Sequence, residues 1–364
     1  MEQNAQRELR AVDPDWTVRE LMARLAKALD SDGPALTFGA TSATHVPDDI
    51  SVVLATTGSS GVSKAVGISA SALRASAQAS NTFLAAVPGN TWSLLLPLTH
   101  IAAVNVLLRA KELGTEAIDL RNHSGAYPPA DFTSIVPTQL FRALNHDENL
   151  LKHLIDAKTV LVGGAHLSSD LHQRALEAGI NIVTTYGMTE TTGGCVYNGS
   201  PLEGVEVLIT ADSRIAIKGK TLAKSYIDDE KSWNSNLIDG WFHTSDLGHL
   251  EDGKLVVDGR VDDVIISGGE NLSLSAIENS LHSHFSDSNF SAFAVSDPQW
   301  GDALHLAVET DATLDQTAIT DYLVEIFGVI AKPKGFLQVA NFPLIGIGKV
   351  DRKKLAEIFL GGSH

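Results

Sequence analysis

Thr56-Thr57-Gly58-Ser59-Ser60-Gly61-Val62-Ser63-Lys64 follows directly on the apolar run Ser51-Val52-Val53-Leu54-Ala55. Residues this small let backbone N–H groups close around phosphate oxygens, and Lys64 adds a cation on a flexible stem. The spacing is not that of a Walker loop, and a plain Ser/Gly surface loop would have the same composition. A second group, Tyr186-Gly187-Met188-Thr189-Glu190, closes the apolar stretch NIVTT. An aromatic there can cover a base, and Thr189 and Glu190 can offer hard oxygens to phosphate and Mg²⁺. A turn followed by a helix N-cap would account for Thr189 and Glu190 equally well. Three further clusters follow: Trp241-Phe242-His243-Thr244-Ser245-Asp246, then Gly259-Arg260-Val261-Asp262-Asp263 running on to Ser267-Gly268-Gly269-Glu270-Asn271, then Pro343-Leu344-Ile345-Gly346-Ile347-Gly348-Lys349.

These groups need elements to position them. Val18, Leu21, Met22, Leu25 and Leu29 recur at helical spacing, so TVRELMARLAKALD reads as an amphipathic helix. The stretch ALTFGATSATHVPDD is too polar and broken to assign. From residue 51 a strand, a Ser/Gly loop and a helix over about residues 69–86 are predicted. WSLLL, TEAIDL, TSIVP, TVLVGG and NIVTTYG read as short buried strands, with helical patterns such as AAVNVLLRAKEL and SSDLHQRALEAG between them. Strands alternating with helices predict α/β layers with largely parallel pairing. After residue 200, GVEVLI, RIAIKG and KLVVDG predict a small antiparallel unit. Residues 263–364 read as a compact α+β unit.

The chain has 364 residues, with 44 acidic against 27 basic, a formal charge of −17. So negative a chain is a poor nonspecific binder of nucleic acid or anionic membrane, so neither is an expected partner. One cysteine, Cys195, excludes an internal disulfide and fits a reducing cytoplasm. No apolar run approaches a membrane span, and MEQNAQRELR lacks the apolar core of a signal peptide. A cytoplasmic protein is the expectation. Between residues 332 and 354 six basic residues stand against one acidic, an island suited to anionic ligands.

Taken in this order, the five clusters resemble the adenylate-forming superfamily of acyl- and aryl-CoA synthetases, adenylation domains and luciferases. The resemblance runs from about residue 51 to 355. Ser63 departs from the family's usual Pro, Ser245 from the Gly of T-G-D, and Ser225 from a Gly before Tyr226. Only 55 residues precede Thr56, where typical members carry well over a hundred. Such a shortened front resembles actinobacterial-type o-succinylbenzoate–CoA ligases of menaquinone synthesis, as do Leu96-Pro97-Leu98-Thr99-His100, Val136-Pro137-Thr138-Gln139-Leu140 and Gly163-Gly164-Ala165.

The resemblance implies an ATP-dependent acid–CoA ligase with Mg²⁺, and ATP and CoA as co-substrates. Other aromatic or medium-chain acids, a free-standing adenylation domain, and an inactive nucleotide-binding module are the competing readings. It implies an α/β fold with a shortened N-terminal domain over 1–261, including a small β subdomain, and a mobile α+β domain over 262–364. Thr56, Ser59, Ser60, Gly61 and Lys64 would hold the β- and γ-phosphates, Glu190 the metal, and Thr189 the α-phosphate. Gly163, Gly164 and Tyr186 would form the adenine slot, and Asp246 would take the ribose hydroxyls with Arg260 alongside. Lys349 would serve adenylation, Asp262 would be the hinge, and Ser267, Gly268 and Gly269 would line the CoA path, although a plain β-turn explains the glycines too. His100 and Gly187 would line the acid pocket. Arg109, in an otherwise apolar helical run, needs a partner if buried. The spare carboxylate of o-succinylbenzoate and an ordinary ion pair both qualify. Cys195 reads as packing. The sequence leaves room for a homodimer.

Overall fold

The computed structural model describes residues 5–57, 63–285, 288–298, 300–310, 314–345 and 349–361, with the side chains of residues 57, 63, 345 and 349 excepted. The chain divides into two compact units. One holds the residues up to Leu167 with Leu171–Thr244 and Leu250–Val256; the other holds Ser168–Asp170, Ser245–His249 and the residues from Val257 on.

The first unit contains the expected α/β layers. Trp92–Leu94, Ile118–Asp119, Phe132–Ile135, Thr159–Val162 and Ile182–Met188 form a parallel array, to which Gly193–Tyr197 and Ser200–Pro201 add antiparallel strands. Phe132–Ile135 and Thr159–Val162 are buried throughout, Thr133, Ser134 and Thr159 included, as befits strands covered on both faces. Connecting helices return the chain: Ile101–Glu112, Pro137–His146, Glu148–Asp156 and Ser169–Glu177. The predicted N-terminal helix spans Val18–Leu29 and starts with a capping box, Thr17 accepting from the Glu20 N–H and Glu20 accepting from the Thr17 N–H.

A second sheet departs from expectation. Its order is Ser225–Tyr226, Ser63–Ser69, Ile50–Thr57, Ala35–Phe38, Gln6–Ala11 and His45–Pro47. The unassigned stretch therefore supplies a fully buried strand, Ala35–Phe38, and an edge strand. The Ser/Gly loop does not lead straight into a helix. It joins Ile50–Thr57 to the antiparallel strand Ser63–Ser69, and the helix Ala70–Phe83 follows with Ser69 as N-cap. The described ends of the phosphate-loop candidate, Thr56-Thr57 and Ser63-Lys64, thus lie in paired antiparallel strands. Farther on, Val205–Ile209 pairs antiparallel with Arg214–Gly219, as the turn-rich texture predicted.

In the second unit Asn289–Asp297 and Gly301–Glu309 form a long hairpin, with Gly335–Val339 parallel to the latter. Val264–Ser267 and Glu270–Ser273 form a short hairpin at one end. The helices Leu274–His284 and Gln316–Phe327 bury Ile277, Leu281, Ile319 and Leu323 against this sheet. Ser273 caps the first of them, accepting from the Ala276 N–H. Among the described residues, no helix is long and apolar enough to cross a membrane.

Candidate active site

The hairpin register sets Thr56 opposite Lys64, and the Thr56 hydroxyl donates to the Lys64 carbonyl at 3.2 Å. Gly58, Ser59, Ser60 and Gly61 lie outside the described residues. Lys64 turns toward Ser225–Tyr226, the neighbouring strand. Its ammonium donates to Ser232 Oγ at 3.1 Å and sits 4.5 Å from the centre of the Tyr226 ring. The Tyr226 hydroxyl donates to Glu190 Oε1 at 2.8 Å. Lys64 and Glu190, far apart in sequence, therefore meet on one tyrosine. Burial and the adjacent Glu190 charge push the Tyr226 phenol well above its ordinary range, so it stays a donor.

Glu190 sits in a single 3₁₀ turn, Thr189–Thr191, at the end of Ile182–Met188. Buried hydrogen bonds brace that turn. Thr191 Oγ1 accepts from the Met188 N–H and donates to the Gly193 carbonyl, while Asn105 Nδ2 and Ser76 Oγ donate to the Thr192 carbonyl. The glycines are required by close approach. A Cβ on Gly187 would stand 2.1 Å from the Gly193 carbonyl oxygen, and one on Gly163 2.2 Å from Thr185 Oγ1. Gly164 follows at φ +83°. Gly163, Gly164 and Tyr186 thus lie at the carboxyl ends of two adjacent parallel strands, the usual ligand side of such a sheet.

The loop to His100 is tied down by Gln139, whose amide donates to the Leu95 carbonyl at 3.1 Å and accepts from the Val136 N–H. His100 is the N-cap residue of Ile101–Glu112, and partial burial lowers its pKa. Two turns on, Arg109 is 3% exposed. Its guanidinium donates to Tyr197 Oη at 2.9 Å and, at 3.4 Å, to Ser134 Oγ, and lies 5.0 Å from the centre of the Trp92 ring. None of these partners is a carboxylate, and Nε is unpartnered. Among the described residues the ordinary ion pair, one of the two readings of Arg109, is not formed. Burial lowers the Arg109 pKa, the mark of an uncompensated buried charge. Asn81 Oδ1, the Trp92 indole nitrogen and Asn105 Oδ1 are buried without partners as well. Cys195 is buried and its thiol is pushed up to about 12 by burial, so it packs rather than reacts.

In the second unit Arg260 donates to Asp246 at 2.9 Å and to Asp262 at 2.8 Å. Burial opposes its charge, but these carboxylates outweigh that and raise its pKa. Asp262, in the 3₁₀ turn Val261–Asp263, is therefore tethered through Arg260 to Asp246. Gly268 and Gly269 form the two-residue turn of a hairpin, at φ +59° and +88°. The turn alone requires glycine there. A Cβ on Gly268 would also stand 3.0 Å from the Trp300 ring, on which the Lys334 ammonium sits at 4.0 Å. The backbone of Lys349 pairs with Ile345, and Gly346–Gly348 lie outside the described residues. Just beyond, Arg352 donates to Glu278 at 2.7 Å and pairs with Asp263, so the segment after Lys349 is anchored beside Asp262.

Tyr226, Tyr197, Trp300 and Arg352 were missed by motif reasoning. Tyr226 lies 36 residues from the carboxylate it holds, and only the fold brings them together. A Mg²⁺ ion fits Glu190: the residue is partly exposed, and among the described residues only Oε1 is engaged. No cluster of three or more His, Cys, Asp or Glu is assembled among the described residues. That donor set suits an ion held by one carboxylate together with substrate phosphates and water.

Sheet order, hairpin loop and clustered charges define an adenylate-forming fold, and residues 2–214 match the family model of the AMP-binding enzymes. The chain belongs to that family. It is 36% identical over 337 residues to a probable 2-succinylbenzoate–CoA ligase of Mycobacterium tuberculosis, covering 87% of this chain and 86% of the relative. Among solved structures it resembles o-succinylbenzoate CoA synthetase from Bacillus subtilis in complex with the acyl-adenylate intermediate OSB-AMP, with TM-score 0.74 and 23% identity, covering 95% of this chain and 82% of that one. The same enzyme with ATP and magnesium ion matches with TM-score 0.72 and 22% identity, over 94% and 83% of the two chains. At these identities the structural likeness speaks for the fold.

Proposed function

We propose that this chain is an ATP-dependent 2-succinylbenzoate–CoA ligase of menaquinone synthesis. The meeting of Lys64 and Glu190 on Tyr226, beside the hairpin that carries the phosphate loop, is the observation that carries the nucleotide chemistry. The identity to the mycobacterial ligase supports the choice of acid. In the first half-reaction a carboxylate oxygen attacks the α-phosphorus of ATP, the bond to the β-phosphate breaks, and pyrophosphate leaves. In the second the CoA sulfur attacks the acyl carbonyl, AMP leaves, and the thiol proton passes to solvent. Neither step needs a bond to the protein, whose work is placement and charge neutralisation.

In this reading the loop from Thr56 to Lys64 wraps the β- and γ-phosphates, and Glu190 would hold Mg²⁺, whose charge would offset that of the phosphates. Thr189 meets the α-phosphate. Gly163, Gly164 and Tyr186 bound the adenine, and Asp246, oriented by Arg260, accepts the ribose hydroxyls. Lys349 stabilises the charge that develops as the acid attacks. Rotation about Asp262 then exchanges Lys349 for the Ser267–Gly269 turn, with Trp300 and Lys334 beside it for CoA. His100 and Gly187 border the acid. Arg109, a buried cation that meets no carboxylate among the described residues, takes the carboxylate that is not activated.

Pyrophosphate release with a panel of acids, with and without CoA, tests the proposal. Release should be greatest with 2-succinylbenzoate, and thioester should accumulate only with CoA. A higher kcat/KM for benzoate or a medium-chain acid would move the assignment to another acyl-CoA ligase. Adenylate formation without transfer to CoA would indicate an adenylation domain, and ATP binding with no release a nucleotide-binding module.

A further inference from the structure

We propose that Tyr226 is a positioning residue that holds both charged groups serving ATP, the metal carboxylate through its hydroxyl and the phosphate-loop lysine through its ring. The proposal rests on the roles given above to Glu190 and Lys64. Tyr226 is 4% exposed, and a core position of that shape would be filled as well by phenylalanine. Its hydroxyl is satisfied by Glu190 Oε1, which leaves Oε2 for an incoming ion. On the ring face, 4.5 Å from the centre, stands the Lys64 ammonium.

The tyrosine is itself fixed from three sides. Tyr226 pairs with Val66, two residues along the strand from Lys64. The Trp233 ring meets its ring edge-on at 5.3 Å. The Ala223 N–H donates to the Glu190 carbonyl at 2.8 Å, so the segment that carries the tyrosine is bonded to the backbone of the residue it orients.

Lysine and glutamate side chains lose the most rotamer freedom when fixed. Fixing them before ATP arrives removes that cost from binding. A direct Lys64–Glu190 ion pair would fix them too, but it would have to break for each ligand. Among the described residues their partners are instead Tyr226 and Ser232, which hold the two charges near each other without neutralising either.

Calorimetric titration of the full chain with ATP, with and without Mg²⁺, separates the two arms. Tyr226→Phe keeps the ring and loses the hydroxyl. It should leave metal-free ATP affinity within about twofold and cut the gain from Mg²⁺ by roughly three- to tenfold, the net loss expected of one typical hydrogen bond. Tyr226→Leu should in addition weaken metal-free binding about two- to fivefold, as Lys64 loses its ring. Glu190→Gln is the control on the underlying role. If it abolishes the Mg²⁺ gain while Tyr226→Phe leaves the gain intact, the positioning role is overturned and Glu190 stands. If Glu190→Gln also keeps the gain, the metal role of Glu190 fails. Equal weakening by Tyr226→Phe with and without Mg²⁺, together with a lowered melting temperature, would make the tyrosine merely structural.

Discussion

Replacing Arg109 by methionine should move stability and activity in opposite directions. The guanidinium is 3% exposed and donates to two neutral hydroxyls, one of them at 3.4 Å. Tyr197 keeps a second partner, Ser80 Oγ at 2.9 Å, so the substitution strands no hydroxyl there. Losing the Tyr197 bond costs about 1 kcal/mol. Removing a buried charge and filling its volume with an apolar chain returns about as much or more. The urea midpoint should therefore hold or rise. If the second carboxylate of 2-succinylbenzoate pairs with Arg109, the same change costs about 2–5 kcal/mol of transition-state binding. That is roughly a 30- to 5,000-fold fall in kcat/KM. Benzoate, which lacks the second carboxylate, should change little. Steady-state pyrophosphate release with both acids on both proteins reads this out. A similar fall for both acids, with a lowered midpoint, would show that Arg109 serves the fold and would reopen the choice of substrate.

Lys349→Ala should abolish adenylate formation yet leave thioester formation from supplied acyl-adenylate largely intact, measured by single-turnover assays of each half. Asp262→Pro, which fixes φ in the turn that Arg260 tethers, should slow the thioester half more than the adenylation half, and normal rates in both would remove the hinge. His153 is buried with its ring 2.9 Å from Ser93 Oγ, and burial lowers its pKa, as it does for His100, His282 and His305. The unfolded chain binds these protons below about pH 6.5 while the folded chain resists them, so stability is full above that pH and is lost as pH falls toward the folded values. Urea midpoints at about pH 7.5 and 5.5 should differ in that sense, and by less in His153→Gln.

The parallel array was legible because its buried strands carry short apolar stretches such as Val160-Leu161-Val162, spaced by helical patterns. The second sheet was not. Ala35–Phe38 is followed directly by a polar, broken stretch, and Ser63–Ser69 mixes polar with apolar residues. Such segments become strands because of what lies beside them. Ala35–Phe38 is held between Gln6–Ala11 and Ile50–Thr57, neither of which its own pattern reveals.

The chemistry divides in the same way. Spacing within a motif is local, so the Thr/Ser/Gly run with its lysine, the Tyr-Gly-Met-Thr-Glu segment and the paired aspartates beside Arg260 could be read from the chain itself. Side chains contributed from distant strands obey no spacing rule. Tyr226 reaches Glu190 and Lys64 because its strand pairs with Ser63–Ser69. Arg109 finds neutral hydroxyls rather than a carboxylate because the helix Ile101–Glu112 carries it against Tyr197 and Ser134. The sequence determined which residues could do the chemistry. Only tertiary structure decided which buried groups hold them and which buried charge meets hydroxyls rather than a carboxylate, because burial and hydrogen bonding depend on neighbours in space.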